Sequence, residues 1–119
     1  MDFDVAVKDR DFYMRVAVAG RPSLGQLLSL VHILGVESAS WRHECVLVDL
    51  RGVATEFSRP EQARIGEEAA SSLAHFRRIA SLVPPERLTR VSERVAQRSG
   101  ANVCVFDTEA EALDWLRGD

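Results

Sequence analysis

Apolar and polar residues alternate at the start of the chain: Phe3, Val5 and Val7, then Phe12, Met14, Val16 and Val18. A period of two marks strands with one covered face. The charged run Lys8-Asp9-Arg10-Asp11 between them predicts a turn. Residues 3–7 and 12–19 are therefore expected to form a β-hairpin whose first strand lies at a sheet edge. Gly20-Arg21-Pro22 ends it, because Pro22 has no N–H to give to a ladder. The period then changes. Leu24, Leu27, Leu28, Val31 and Leu34 recur at helical spacing, with Leu30 widening the stripe. Ser23 and Gln26 supply the two halves of a capping box. Ile33 and Val36 fall outside the stripe, so this helix is more apolar around its circumference than a helix with one wet face needs to be.

Cys45-Val46-Leu47-Val48-Asp49-Leu50 reads as the central buried strand, followed by a loop over 51–60. Ser58-Arg59-Pro60-Glu61 forms a second capping box with proline early in the first turn. Its helix is expected to run to about residue 73 with a small inward face of Gly66, Ala69, Ala70 and Leu73, and Ala63 beside them. Residues 76–83 read as a strand stopped by Pro84-Pro85. A third helix is expected from near Glu86, with Leu88, Val91 and Val95 inward and Arg87, Arg90, Arg94 and Arg98 along an adjoining face. Gly100 ends it. Residues 103–106 read as a buried strand. Thr108-Glu109-Ala110-Glu111 reads as a further capping box and opens a last helix to about residue 117, with Ala112, Leu113 and Leu116 inward and Trp115 at the rim. The order β-β-α-β-α-β-α-β-α implies one α/β domain over residues 1–119. It is a mixed, mostly parallel sheet with an antiparallel N-terminal edge hairpin and helices packed on it.

Composition narrows the function classes. The chain has 119 residues, 46% hydrophobic and 28% charged, which suits one globular domain rather than a disordered segment. A net charge of -3 and a pI near 5.6 argue against nucleic acid as partner. The longest apolar stretch, 24–36, is interrupted by Gln26 and His32 and at ~13 residues is too short to span a bilayer. The start, Met1-Asp2-Phe3-Asp4, is acidic and lacks a leader pattern, and Cys45 and Cys104 both fall in expected strands as small buried hydrophobes. A reducing cytoplasm is the expected compartment. His32, His43 and His75 have no ligand spacing, so no metal is expected. There is no phosphate-cradling glycine loop and no nucleophile elbow. Asp49 and Glu56, two carboxylates near one loop, do not by themselves make an acid–base pair. The expectation is a protein that is not an enzyme and carries no cofactor.

Three segments carry a resemblance. Residues 46–52, a strand ending Asp49-Leu50-Arg51-Gly52, resemble the central strand of STAS domains. Arg77-Arg78-Ile79-Ala80-Ser81-Leu82-Val83 resembles the basic-basic-Ile-Ala-x-x-Val strand of SpoIIAA-like proteins. Residues 105–116 resemble that family's ending, in which a Phe106-Asp107 strand end leads to an Ala112-Leu113-Asp114-Trp115-Leu116 helix. With the element order, the resemblance covers nearly the whole chain. It implies a STAS-like, or CRAL-TRIO-like, fold in a small bacterial cytoplasmic protein. Relatives with this fold act as anti-anti-sigma factors, as regulatory modules of anion transporters or as lipid carriers.

Ser58 then has two readings. As a helix cap its hydroxyl satisfies a backbone N–H. In anti-anti-sigma factors a serine at the start of the helix after the central strand is phosphorylated, in an Asp-Ser-x-Gly setting, and the resemblance makes Ser58 the corresponding candidate phosphosite. This chain departs from that setting, having Phe57-Ser58-Arg59-Pro60. The first functional expectation is a non-enzymatic, regulatory protein-interaction module. Its partner-binding loop would comprise Arg51, Thr55, Glu56, Phe57, Ser58 and Arg59. The alternative is a small lipid or apolar-ligand binder, or a homodimer, using the surface of Leu30, Ile33 and Val36 on the first helix.

Overall fold

β1 (Phe3–Asp9) and β2 (Met14–Gly20) form the expected antiparallel hairpin. β2 pairs in parallel with β3 (Cys45–Val53), β3 with β4 (Arg78–Leu82), and β4 with β5 (Val103–Phe106). In the computed structural model, which describes residues 3–88 and 91–118, the strands lie in sequence order, β1-β2-β3-β4-β5. Each parallel step crosses through a helix: α1 (Leu24–Glu37), α2 (Arg59–Ser72) and α3 (Val91–Arg98). Crossovers of one hand between successive neighbours put all three helices on one face. There α2 packs between α1 and α3, while α4 (Glu109–Arg117) lies on β3, β4 and β5 from the other side.

The strands supply both cores by alternation. Val16, Val18, Val46, Ile79 and Val103 point toward α1 and α2, where they meet Leu34, Ala70 and Leu73. Leu47, Ala80 and Leu82 point the other way and meet Ala112 and Leu116 of α4. The capping boxes of α1 and α2 form as read, whereas at α4 only the Thr108 half of the expected box is present. Ser23 Oγ accepts from Gln26 N while Gln26 Oε1 accepts from Ser23 N, and Ser58 and Glu61 repeat the exchange at α2. At α4 Thr108 Oγ1 accepts from Glu111 N at 3.4 Å.

Four expectations need correction. β3 runs on to Val53, because Arg51 to Val53 extend the ladder beside β2, so the following loop covers only 54–58. β4 begins at Arg78; Phe76 is buried ahead of the strand, against Trp41 and His75. The third helix begins at Val91 and not near Glu86, because Pro84-Pro85 opens a 3-10 turn over Pro85–Arg87. Leu88 and Arg87 therefore precede the helix, Arg90 lies outside the described residues, and the arginine stripe does not share one helix face. Cys104 is only half-buried, whereas Cys45 is buried.

The two sheet edges differ. At β5, Glu93 and Gln97 of α3 reach the outer side of the strand: Glu93 Oε2 accepts from Val105 N at 2.5 Å and Gln97 Nε2 donates to Val103 O at 2.7 Å. At β1 every residue after Phe3 is exposed.

Candidate protein-interaction site

The end of β3 divides its side chains between two compartments. Val48 and Leu50 turn toward the α1–α2 layer. Asp49 and Arg51, one position out of phase, turn toward the start of α4.

On the α4 side four charges close on one another. Arg51 Nε and Nη2 donate to the two oxygens of Asp49 at 2.9 and 2.8 Å, a bidentate pair. Arg15 of β2 donates to Asp49 Oδ2 at 2.8 Å and to both oxygens of Glu109, at 2.9 and 3.3 Å. Arg51 also reaches Glu109 Oε1 at 3.0 Å. The hydrogen bonds from Arg51, against the cost of burial and with help from Arg15, hold the Asp49 carboxyl down to about 2. Glu109 is lowered as well, chiefly by the hydrogen bond from Arg15. Two cations and two carboxylates ionised at neutral pH form a neutral clasp. It fastens the start of α4 to β2 and β3 and holds no proton to exchange near neutral pH.

On the α2 side the loop 54–58 is tied at several points. Ala54 N donates to Gly20 O at 2.7 Å, Thr55 Oγ1 to Pro22 O at 2.7 Å, and Gln62 Nε2 to Phe57 O at 2.9 Å. Arg87, on the 3-10 turn after β4, spreads its guanidinium over three consecutive carbonyls: Val53, Ala54 at 3.2 Å and Thr55 at 3.2 Å. Only arginine has the planar fork to do this. Beneath the loop and α2 lies a cavity of about 340 Å³, walled by Leu50, Val53, Phe57, Ile65, Ala69 and Val83 and rimmed by Arg87. Ala54, Glu56, Ser58 and Arg59 are exposed on the outer side, and Thr55 and Phe57 are half-buried.

Five of the six residues expected in the partner-binding loop thus adjoin one another, from Thr55 to Arg59. Arg51 is separate: it belongs to β3, and its guanidinium lies in the ionic clasp on the opposite face. The second expected surface is elsewhere again. Gly35 of α1 lies against Ser72, at the far end of α2 from Ser58. Leu30 packs against the core, while Ile33 and Val36 are 53% and 65% exposed and do not line the cavity. Arg15, Glu109 and Arg87 were not singled out for these contacts by sequence. Their partners lie 32 or more residues away, and only a correctly placed sheet would have found them. His75 Nε2 lies 2.7 Å from Ser38 Oγ, which also bonds Gly35 O, a tie between the end of α1 and the α2–β4 connection. Among the described residues there is no group of three His, Cys, Asp or Glu placed to hold a metal ion, and no helix long and apolar enough to cross a membrane.

The model of the SpoIIAA-like family matches residues 13–117. The chain belongs to the SpoIIAA-like family. Among solved structures it is similar to an anti-sigma factor antagonist from Mycobacterium paratuberculosis, with a TM-score of 0.69 at 17% identity, covering 97% of this chain and 94% of that one. It is also similar to an uncharacterised protein of the DUF3478 family with a SpoIIAA-like fold from Shewanella loihica PV-4, with a TM-score of 0.58 at 19% identity, covering 96% and 93%. At these identities the likeness is one of fold, and the fold is the STAS-like one that the element order implies. No curated protein matches the chain.

Proposed function

We propose that this SpoIIAA-like domain is a non-enzymatic regulatory module of the reducing cytoplasm. It presents the loop 54–58 and the first turn of α2 to a protein partner. The observation that carries this is the tethered loop. Glu56, Ser58 and Arg59 are exposed, yet the chain beside them is held at Ala54, Thr55 and Phe57 by Gly20, Pro22, Gln62 and Arg87. A surface ordered before contact loses little conformational entropy on binding, which favours recognition. The likeness to an anti-sigma factor antagonist supports a protein as partner.

Ser58 is the point at which such a face would be switched. Its Oγ is exposed and accepts from Glu61 N, and Glu61 Oε1 in turn accepts from Ser58 N at 2.8 Å. A phosphate on Oγ would gain from the helix N-terminus but would sit against the Glu61 carboxylate, opening the capping box and making the face more negative. The test is cross-linking mass spectrometry of the tagged protein in its own host. Arg59→Glu should abolish the cross-linked partner, Ser58→Asp should weaken it, and Arg98→Glu, on exposed α3 surface, should leave it intact. Equal capture by all three variants sinks the proposed face.

A second reading, a small apolar ligand, rests on the cavity under α2. It moves the site away from Leu30, Ile33 and Val36, since of α1 only Leu27 reaches that space. Native mass spectrometry decides it: a co-purifying mass that is lost on Ala69→Phe supports a ligand, and bare protein rejects it.

A further inference from the structure

Unlike β5, whose outer N–H and C=O groups are taken by Glu93 and Gln97, β1 has an outer side that no element among the described residues covers along its 7 residues. Which of its groups point outward follows from the ladder. Arg10 N donates to Tyr13 O at 2.9 Å, and the same register sets Lys8 opposite Arg15, Ala6 opposite Ala17 and Asp4 opposite Ala19. Antiparallel partners exchange bonds at every second pair. Asp4, Ala6 and Lys8 therefore direct their backbone groups to β2, and Phe3, Val5, Val7 and Asp9 direct theirs away from the sheet.

We propose that β1 pairs with β1 of a second copy, antiparallel about a two-fold axis through Ala6, joining the two sheets into one. The strand Phe3-Asp4-Val5-Ala6-Val7-Lys8-Asp9 is complementary to itself in this register. Val5 meets the partner's Val7, and both have outward N–H and C=O, so they exchange two hydrogen bonds; the symmetric pair does the same. Asp4 stands opposite the partner's Lys8, and Lys8 opposite the partner's Asp4, in the closer non-hydrogen-bonded positions. Among the described residues neither Asp4 nor Lys8 has an ion pair within its own chain. Val5 and Val7, 38% and 45% exposed, lie on the same face as Val16 and Val18, so the four valines of the two copies form one apolar row.

Moving the axis to Val5 or Val7 shortens the ladder and sets Asp4 or Lys8 opposite Ala6, leaving its charge unmatched. A lysine within an edge strand ordinarily discourages pairing. The register through Ala6 answers it with an aspartate. This interface does not depend on what binds at α2.

The test is sedimentation of the purified full chain, with a mass of twice 13.2 kDa expected for the dimer. Lys8→Asp and Asp4→Lys each set like charges opposite one another twice, and each should weaken the dimer by about tenfold or more. The double variant Asp4→Lys/Lys8→Asp should restore it. Val5→Pro removes an outward N–H without touching the β2 ladder, and should give a monomer with an unchanged circular dichroism spectrum. Lys8 is the sole lysine of the chain, so a carbodiimide cross-link joining it to Asp4 of the partner identifies the register directly. A monomer at the highest soluble concentration, or a dimer indifferent to the charge reversals, overturns the proposal.

Discussion

Asp49 shows how one side chain can be legible while its work is not. Its place near the end of an apolar strand is plain in the sequence. Its distant partner Arg15 belongs to a neighbouring strand, and Glu109, which shares that arginine, to a helix on the far side of the sheet. The consequence is a pH dependence with a definite sign. The folded-state value, about 2, lies below the ordinary 3.8, so the clasp's contribution is complete above about pH 4 and is lost as pH falls through 2. Discounted for partial exposure, it is worth about 1–2 kcal/mol. Urea unfolding should find Asp49→Asn less stable than the native chain by that amount at pH 7, with the gap narrowing below about pH 4 and closing below pH 2. A gap that persists in acid would mean that packing, and not charge, is lost. Ser58 is the opposite case, because its cap is local and could be read directly. Ser58→Ala should cost about 1 kcal/mol, and Ser58→Asp, which can still cap, little. Thermal unfolding of the pair separates the structural role of Ser58 from any regulatory one.

Elements were legible wherever their signals were local. The capping boxes of α1 and α2 are four-residue patterns, and the structure forms both. Boundaries set by neighbours were not legible. β3 is longer than its apolar run because β2 gives Gly52 and Val53 pairing partners, and α3 is shorter than its pattern because Pro84-Pro85 commits the chain to a 3-10 turn first. Glycines on α1 make the same distinction testable. A Cβ on Gly35 would stand 2.4 Å from the Ser72 carbonyl oxygen and 2.9 Å from its Cβ, so this glycine sets the approach of α1 to α2. Gly25 has open space around it. Gly35→Ala should therefore destabilise by about 1–2 kcal/mol, overpacking outweighing the gain in helix propensity, whereas Gly25→Ala should stabilise by up to about 1 kcal/mol. Opposite signs on one helix, read by denaturant midpoints, would establish that contact and not propensity governs the first position. Two changes of the same sign would not.

For the whole molecule, alternation of strand and helix is enough to give the layered α/β plan, and one-handed crossovers then gather α1 to α3 on one face. What the pattern does not carry is how the crossovers meet at the carboxyl ends of the strands. Arg87 belongs to the connection between β4 and α3, yet it grips the connection between β3 and α2, through Val53, Ala54 and Thr55. Read as a surface helix residue it has no such task; the 3-10 turn is what aims it. The loop proposed to face a partner is thus held by the next crossover along, and the cavity beneath lies between the two. Arg87→Lys keeps the charge but loses the fork, so it should leave the sheet intact while loosening residues 54–58. Amide exchange there should quicken by about tenfold, the equivalent of roughly 1.4 kcal/mol of local stability, with exchange in β3 and β4 unchanged. Unchanged exchange at 54–58 would mean that Thr55 and Gln62 hold the loop unaided, and a slower fold-wide loss would make Arg87 a general stabiliser. Under the proposed function the loosened loop also binds its partner more weakly, because ordering it becomes part of the binding cost.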